Sequence, residues 1–361
     1  MAVEPPEDAG TRTNSMEGGG YYNRFSSIQS AGAMTAQTLL EQAYAAVSTD
    51  GGDTPLIIAD FGSSQGRNSL QPLRHFLVGL QRRLSVDRAL VVVHTDLPSN
   101  DFTSLFDTVL NHPESYLSVA PNVFAYAAGR SFYEPLFPPN SLTFGWSSYA
   151  LMWPSQLAAL IPGHIYSTRA EPKILAQFDA RGKEDWRRFL SLRAVELKLS
   201  GHLAVVLAAR DDAGLHGLEP LMDIANDIFS EMIETGRITM IERQQMVLPA
   251  HPKSRQDLLE PFSAQEQFMG LQVVHCDVFE GPDPLWDQFL VDRDACAFAE
   301  GRAGFFRAAF GPTFASALDK TRSHDDRAAF LNALEEQLKK RLTDQPTAMK
   351  LVIGSMLIRK A

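Results

Sequence analysis

The strongest constraint on the fold is a short apolar run that leads directly into a turn rich in Gly and Ser. The run is Leu56-Ile57-Ile58, and the turn that follows is Ala59-Asp60-Phe61-Gly62-Ser63-Ser64-Gln65-Gly66-Arg67-Asn68-Ser69. A buried strand that breaks into Gly and Ser before a helical pattern predicts a tight strand-to-helix turn, where α/β folds bind nucleotide-like ligands. Gly62 and Gly66 let the backbone approach a ligand closely, and Asp60 can accept hydrogen bonds at the strand end. The turn is one glycine short of the dinucleotide fingerprint and lacks the Lys-Ser/Thr of a phosphate loop. It therefore indicates a cofactor without a pyrophosphate.

A second carboxylate follows the next predicted strand. Residues 89–93 form a largely β-branched run, and Asp96 comes shortly after it. A carboxylate at this position suits a ribose diol. Two acidic strand ends without a basic phosphate grip fit a ligand that carries ribose, adenine and positive charge, and S-adenosylmethionine is the commonest such ligand. The alternative is an ordinary doubly wound sheet whose loops happen to contain Asp and Gly.

Strand and helix patterns alternate along the rest of the chain. Strands are predicted at 90–96, 123–129, 142–146, 203–207, 271–275 and 351–357, and helices at 26–47, 68–83 and 184–199. Right-handed crossovers between these elements predict an open, mostly parallel sheet. Residues 218–262 and 285–342 are mostly helical in pattern. We therefore expect a mobile segment at 1–18, an α/β core in 19–210 and 265–361 with cap helices in 285–345, and a helical cap or substrate region in 211–264.

Composition favours a cytoplasmic enzyme without nucleic-acid or membrane partners. With 361 residues and 45% hydrophobic content the chain can bury a large core, and no apolar stretch has the length of a membrane span. Only Cys276 and Cys296 are present, which indicates a reducing compartment. The formal net charge of −10 opposes nucleic-acid binding. Four histidines, none at metal-ligand spacing, give no reason to expect a metal: His202, His216, His251 and His275.

Six longer motifs occur in a fixed order. They are Met16-Glu17-Gly18-Gly19-Gly20-Tyr21-Tyr22 with Ser26 and Gln29, then Ala59 to Asn68, Asp96-Leu97-Pro98-Ser99-Asn100-Asp101-Phe102, Gly129-Arg130-Ser131-Phe132-Tyr133, Ser147-Ser148-Tyr149-Ala150-Leu151-Met152-Trp153, and Arg193-Ala194-Val195-Glu196-Leu197. In this order they resemble the SABATH carboxyl methyltransferases, which act on salicylate, benzoate, jasmonate and related acids. The resemblance spans residues 16 to about 210 and continues more thinly to Ile358-Arg359-Lys360. It implies a class I methyltransferase (Rossmann-like) α/β fold with a mostly parallel seven-stranded sheet and a helical cap.

The resemblance also implies the ligands and the residues that bind them. The cofactor is S-adenosylmethionine, released as S-adenosylhomocysteine, and the partner is a small carboxylic acid bound by a homodimer. The implied cofactor residues are Tyr22, Ser26, Asp60, Asn68, Asp96, Leu97, Ser131, Phe132 and Ser147. Gln29 and Trp153 would orient the carboxylate, and the implied acid pocket also contains Tyr149, Met152, Leu221, Met222, Phe306 and Ala309. Helix capping or core packing is the alternative for most of these side chains.

The implied reaction needs no general base. Carboxylic acids titrate near pH 4, so the nucleophile is already ionised at pH 7. The site has to hold the oxygen in line with the breaking carbon–sulfur bond and exclude water, which calls for neutral donors such as the Gln29 amide and the Trp153 indole. Methylation of a heterocycle nitrogen and a non-catalytic cofactor-binding role are the alternatives. Residues 211–220 resemble the family poorly, and we expect them to select the acid.

Overall fold

The computed structural model describes residues 16–48, 54–84, 88–263 and 266–361. Its eight strands are β1 (Leu56–Phe61), β2 (Leu90–Asp96), β3 (Val123–Gly129), β4 (Leu142–Ser148), β5 (Leu197–Ala208), β6 (Gln267–Phe268), β7 (Leu271–Glu280) and β8 (Val352–Lys360). They form one sheet in the order β3-β2-β1-β4-β5-β8-β7-β6. Strands β1 to β5 pair in parallel, whereas β8 is antiparallel to both β5 and β7. The predicted mostly parallel sheet is confirmed, and its strand count exceeds the expected seven by the two-residue strand β6.

The central strands form where the sequence places continuous apolar runs. Every residue of β4 except the last is buried, and the second half of β5 is buried throughout. Helices cover both faces of a parallel sheet, so its strands are apolar on both sides and do not alternate. This is why these strands were visible in the sequence.

Twelve helices are described, of which three precede β1: α1 (Tyr21–Phe25), α2 (Ser27–Met34) and α3 (Gln37–Ala46). The others are α4 (Arg67–Gln81), α5 (Phe102–Asn111), α6 (Pro172–Glu196), α7 (Glu219–Glu234), α8 (Met240–Gln245), α9 (Arg255–Leu259), α10 (Pro284–Asp292), α11 (Ala295–Ser316) and α12 (His324–Asp344). The single helix predicted over 26–47 is wrong. Helix α2 ends at Met34, and Thr35, whose hydroxyl donates to the Gly32 carbonyl at 2.7 Å, lies with Ala36 between α2 and α3. The helix predicted from 184 begins twelve residues earlier, at Pro172, a residue type suited to the first helical turn.

Each face of the sheet has its own core. On one face α3 and α4 pack against β1 and β4, where the Phe76 and Phe144 rings stack at 3.9 Å. On the other face α6 covers β1 and β5, and Phe189 meets Phe61 edge-on at 5.6 Å. A third core joins α7, α11 and α12. This helical layer also contacts Ile28 and Met152, so it lies beside the residues that follow β4.

The segment expected to be mobile, 1–18, lies outside the described residues except for 16–18. Within that remainder, the Glu17 amide donates to the Ala308 carbonyl at 3.1 Å, and the Glu17 carboxylate pairs with Arg307 at 2.8 Å. The Gln65 side chain donates to the Glu17 carbonyl at 2.6 Å. Residue 17 thus connects the loop after β1 to α11. Within the described ranges, no helix combines the length and apolar character needed to cross a membrane.

Candidate active site

A cavity of about 220 Å³ lies at the carboxyl edge of the parallel strands. Its wall includes Gly62 and Ser64 after β1, Asp96 at the end of β2, Phe132 after β3 and Trp153 after β4. One water molecule needs only about 10–15 Å³, so the cavity admits a much larger molecule. Open α/β sheets bind their ligands at this edge.

Two glycines allow the loop after β1 its close turns. Gly62 has φ of 82°, and a Cβ atom there would lie 2.1 Å from the Cβ of Ala150. Gly66 has φ of 83°, and a Cβ atom there would lie 2.6 Å from Leu105. Side chains are therefore excluded at both positions. The turn predicted from the sequence has the tight form that the two glycines indicated.

Asp96 faces the cavity and is fixed by backbone donors. Its carboxylate accepts hydrogen bonds from the Ser64 amide at 2.7 Å and the Leu97 amide at 2.8 Å. Burial raises the pKa of Asp96 to about 6, although these two amides act to lower it. A carboxylate retains further lone pairs after accepting two hydrogen bonds, so Asp96 can accept hydroxyl donors from a ligand.

Asp60, unlike Asp96, is paired with another side chain beneath the cavity wall. It is 1% exposed, and its carboxylate pairs with Nδ1 of His94 at 2.8 Å. The other ring nitrogen of His94 bonds to the Tyr116 hydroxyl at 2.7 Å. Asp60 and His94 are partners in the register of β1 and β2, which brings the side chains together. Asp60 does not line the cavity, and its predicted contact with the cofactor stays a prediction.

Three other predicted cofactor residues do not line the cavity but contact residues near its wall. The Ser26 hydroxyl donates to the Asn68 side chain at 3.1 Å, and Asn68 in turn hydrogen-bonds Tyr22, which does line the cavity. Ser147 is fully buried and donates to the Phe61 carbonyl at 3.0 Å. Ser26, Asn68 and Ser147 therefore support the wall. The predicted residues Leu97, Ser131 and Phe132 lie on it.

Besides the hydroxyls of Ser64 and Ser148, two buried polar atoms of residues on the cavity wall have no hydrogen-bond partner among the described residues. They are Oε1 of Gln29 and the hydroxyl of Tyr149. Both side chains line the cavity, and such atoms require a partner from a ligand or water. Burial raises the pKa of the Tyr149 hydroxyl well above its ordinary value, so this group is a neutral donor. A Cβ atom on Gly32 would lie 2.0 Å from the Tyr149 hydroxyl, so α2 needs glycine at this contact.

Hydrogen bonds on both sides hold the segment that presents Trp153. The Trp153 carbonyl accepts from the Tyr133 hydroxyl at 2.8 Å, and the Met152 carbonyl accepts from the His251 amide at 3.0 Å. Asp185 accepts from both the amide and the hydroxyl of Ser155, at 2.8 and 2.7 Å. No described residue accepts a hydrogen bond from the Trp153 indole. The indole is thus fixed in place with its donor available.

Some of the residues predicted for the acid pocket lie on the cavity wall. Tyr149, Met152 and Ala309 line the cavity together with Gln29 and Trp153. Leu221, Met222 and Phe306 do not, which corrects the prediction: they are at most 2% exposed and pack in the core of α7, α11 and α12. Neighbouring helix residues point about 100° apart, so Phe305 reaches the cavity whereas Phe306 stacks on Phe314.

Sequence reasoning missed several wall residues. Tyr133 and Asn100 lie within quoted motifs, so motif position could have indicated them. His216 and Leu218 lie in 211–220, where residues that select the acid were expected, whereas Leu351 gave no signal because an isolated leucine has no diagnostic spacing. In the part of the chain that the structure describes, no group of three or more His, Cys, Asp or Glu residues could hold a metal ion.

Comparisons with known proteins agree with this geometry. Residues 11–358 match the family model described as SAM dependent carboxyl methyltransferase. Indole-3-acetate O-methyltransferase 1 of Arabidopsis thaliana is 27% identical over 321 residues, which cover 81% of each chain. Methyltransferase FUS9 of Gibberella fujikuroi is 26% identical over 267 residues, 73% of this chain and 70% of its own. The structure of a loganic acid methyltransferase with SAH has a TM-score of 0.77 at 20% identity, and covers 96% of this chain and 99% of its own.

The family match, together with the α/β sheet and the cavity at its carboxyl edge, identifies a methyltransferase that uses S-adenosylmethionine. Within that class, the chain belongs to the SAM-dependent carboxyl methyltransferases of the SABATH family, as its motifs indicated. Its activity is carboxyl O-methylation.

Proposed function

We propose that this methyltransferase converts a small acid with an apolar or aromatic body into its methyl ester, and that Gln29 and Trp153 orient the carboxylate. The observation that carries the proposal is the type of donor on the wall. Gln29, Tyr149 and Trp153 are neutral, and no Lys or Arg of the described residues lines the cavity. Neutral donors can bind a carboxylate without a full counter-charge that would quench its nucleophilicity. Met152, Phe305 and Phe310 supply apolar wall for the rest of the acid.

The residues on the other side of the cavity fit the cofactor. We propose that Asp96 accepts from the ribose hydroxyls, that Leu97 and Phe132 enclose the adenine, and that Ser131 contacts its edge. Ser64 contributes a buried hydroxyl with no partner among the described residues, which further indicates a polar ligand here. When bound, S-adenosylmethionine supplies a methyl group on a positively charged sulfur. Tyr22, supported by Asn68, borders the same space.

The contribution of the protein to the reaction is alignment and exclusion of water. The carboxylate is ionised at neutral pH, so no side chain has to remove a proton. Fixed donors that hold two reacting groups in line can supply about 7–11 kcal/mol of the barrier reduction. The hydrogen bonds that Tyr133 and His251 donate and that Asp185 accepts fix the Trp153 segment, which is the rigidity that such alignment requires.

We further propose that the enzyme is a cytoplasmic homodimer that binds neither nucleic acid nor membranes, with 211–264 acting as the substrate cap. The charge of −10 and the two unpaired cysteines support the compartment and the absence of nucleic-acid partners. The packing of α7 against α12 beside the cavity supports the cap. Light scattering of the purified protein tests the dimer, and a monomer at micromolar concentration would contradict it.

The experiment that tests the function is a panel of acids incubated with the enzyme and S-adenosylmethionine. We expect mass spectrometry to detect the methyl ester of at least one apolar or aromatic acid, with an equal amount of S-adenosylhomocysteine. The primary amides of the same acids are the matched control and should give no product. Methylated heterocycles without esters would favour nitrogen methylation. Cofactor binding without any product would indicate a non-catalytic protein.

A further inference from the structure

His216 lines the cavity from residues 211–220, the segment that we expect to select the acid. It belongs to the connection between β5 and α7, and is 2% exposed. Its Nδ1 atom lies 2.7 Å from the Ala209 carbonyl oxygen. A carbonyl can only accept, so Nδ1 carries the proton and Nε2 holds a free lone pair. Nε2 makes no hydrogen bond to any residue within the described ranges.

The backbone around His216 fixes the direction of this acceptor. The Val352 amide donates to the His216 carbonyl at 2.8 Å, which ties the residue to β8. Glu219 accepts from the His216 amide at 3.0 Å and from the Gly217 amide at 2.6 Å. Gly217 has φ of 95°, and a Cβ atom there would lie 2.1 Å from the Lys350 carbonyl. The loop therefore has one conformation in contact with the segment before β8.

Burial keeps the imidazole neutral. Burial lowers the pKa of His216, and the backbone carbonyls of Ala209 and Val352 oppose this only in part. The Glu219 carboxylate accepts from the backbone amides of the loop, and its charge also acts to raise the pKa of the His216 imidazole. At neutral pH the ring is thus an acceptor at Nε2. Elsewhere on the wall, Tyr149 and Trp153 offer donors, and Oε1 of Gln29 is a second acceptor without a partner among the described residues.

The sheet order places His216 away from the proposed cofactor residues. Asp96 ends β2, Trp153 follows β4, and Ala209, which holds His216, follows β5. In the order β2-β1-β4-β5, neighbouring strands lie about 4.8 Å apart, so β2 and β5 are separated by about 14 Å. His216 therefore lies on the side of Trp153 that is remote from Asp96, where it is available to the end of an acid that is remote from its carboxylate.

We propose that the acid carries a hydroxyl or N–H group on the part remote from its carboxylate, and that His216 accepts a hydrogen bond from this group through Nε2. The inference rests on the proposed function and adds a substrate class to it. An acid without such a donor leaves Nε2 desolvated and unpaired, which carries a free-energy cost.

Matched acids test this inference. The probes are 3-phenylpropanoate and its 2-, 3- and 4-hydroxyphenyl and methoxyphenyl analogues, with indole-3-acetate and 1-methylindole-3-acetate as the N–H pair. We expect kcat/KM of the wild type to be about 3- to 10-fold higher for at least one donor-bearing acid than for its methylated partner, the factor that one net hydrogen bond gives. In His216→Phe this ratio should fall to about 1. Leu218→Met, on the same wall, is the control and should keep the ratio.

Binding to the wild type provides a second test that does not require a stable variant. Calorimetry with enzyme saturated by S-adenosylhomocysteine should show the same preference for the donor-bearing acid. Equal affinity across every pair, or an unchanged ratio in a folded His216→Phe, overturns the inference. If no acid in the panel is methylated, the proposed function fails instead, so the two failures are distinguishable.

Discussion

Replacement of Asp96 by Asn should weaken cofactor binding strongly while leaving the fold intact. Asn has the same shape and keeps one oxygen that can accept from the Ser64 or the Leu97 amide. It loses the charge and the second acceptor that the proposed ribose contact uses. A hydrogen bond to a charged group contributes about 1.5–3 kcal/mol, so the Kd for S-adenosylhomocysteine should rise about 10- to 150-fold. Titration calorimetry measures this change directly.

The matched control is Asp107→Asn, because it makes the same charge change on the outer face of the neighbouring helix α5. Its Kd for S-adenosylhomocysteine should stay within about twofold of the wild type, as expected for a screened surface charge. An unchanged affinity in Asp96→Asn, or an equal loss in both variants, would refute the assignment of Asp96 to the ribose.

The pH dependence of the wild type separates a direct role from a structural one. Burial raises the pKa of Asp96 to about 6, and only the ionised form has both oxygens free to accept. Affinity for S-adenosylhomocysteine should therefore be constant above about pH 7 and decline as the pH falls through 6. Asp96→Asn has no such proton, so its weaker affinity should be flat over the same range. If the affinity for S-adenosylhomocysteine declined in the same way in the wild type and in Asp96→Asn, a group other than Asp96 would be responsible.

Three further changes test the acid side. Trp153→Phe keeps most of the wall but removes the indole donor, so kcat/KM should fall about 10- to 100-fold. The affinity for S-adenosylhomocysteine, measured by calorimetry, should not change. If the variant binds an acid and its amide more weakly by the same factor, Trp153 contributes packing and no hydrogen bond. Gly32→Ala places a Cβ atom 2.0 Å from the Tyr149 hydroxyl, so the free energy of unfolding should fall by about 1–3 kcal/mol in thermal unfolding, and kcat/KM should also fall. Wild-type values of both quantities would show that the Tyr149 ring moves aside without cost. At saturating cofactor, the rate of a single turnover should be constant from pH 6 to 9; a steep dependence near neutrality would require a base such as His216.

The strands that carry the site were predictable because their sequence signal is local. β1, β2 and β4 are short apolar runs bounded by polar turns, and buried parallel strands have this composition. The end of α2 was not predictable, because no Gly or Pro marks the position. Helix α5 also escaped prediction, although Asp101 caps it through the Ser104 amide.

The sequence predicted the site residues that belong to one contiguous motif. It did not predict residues whose position or partner is set by tertiary contacts. Tyr149, Met152 and Trp153 form one motif, and all three reach the cavity. The partner of Asp60 depends on the register between β1 and β2, which the sequence of either strand alone does not determine. The rotation of α11 selects Phe305 over Phe306, and only packing against α7 and α12 sets that rotation.

The position of β8 between β5 and β7 has a consequence for biosynthesis. Both neighbours emerge from the ribosome earlier, so each has an unpaired edge until residues Val352–Lys360 are available. Such edges invite pairing with other chains, and contacts between segments distant in sequence form slowly. The carbonyl that orients His216 follows β5 directly, and the amide of Val352 holds the same residue. The contacts that orient His216 therefore form only after β8 has been synthesised, and until then the open edges of β5 and β7 can pair with other chains.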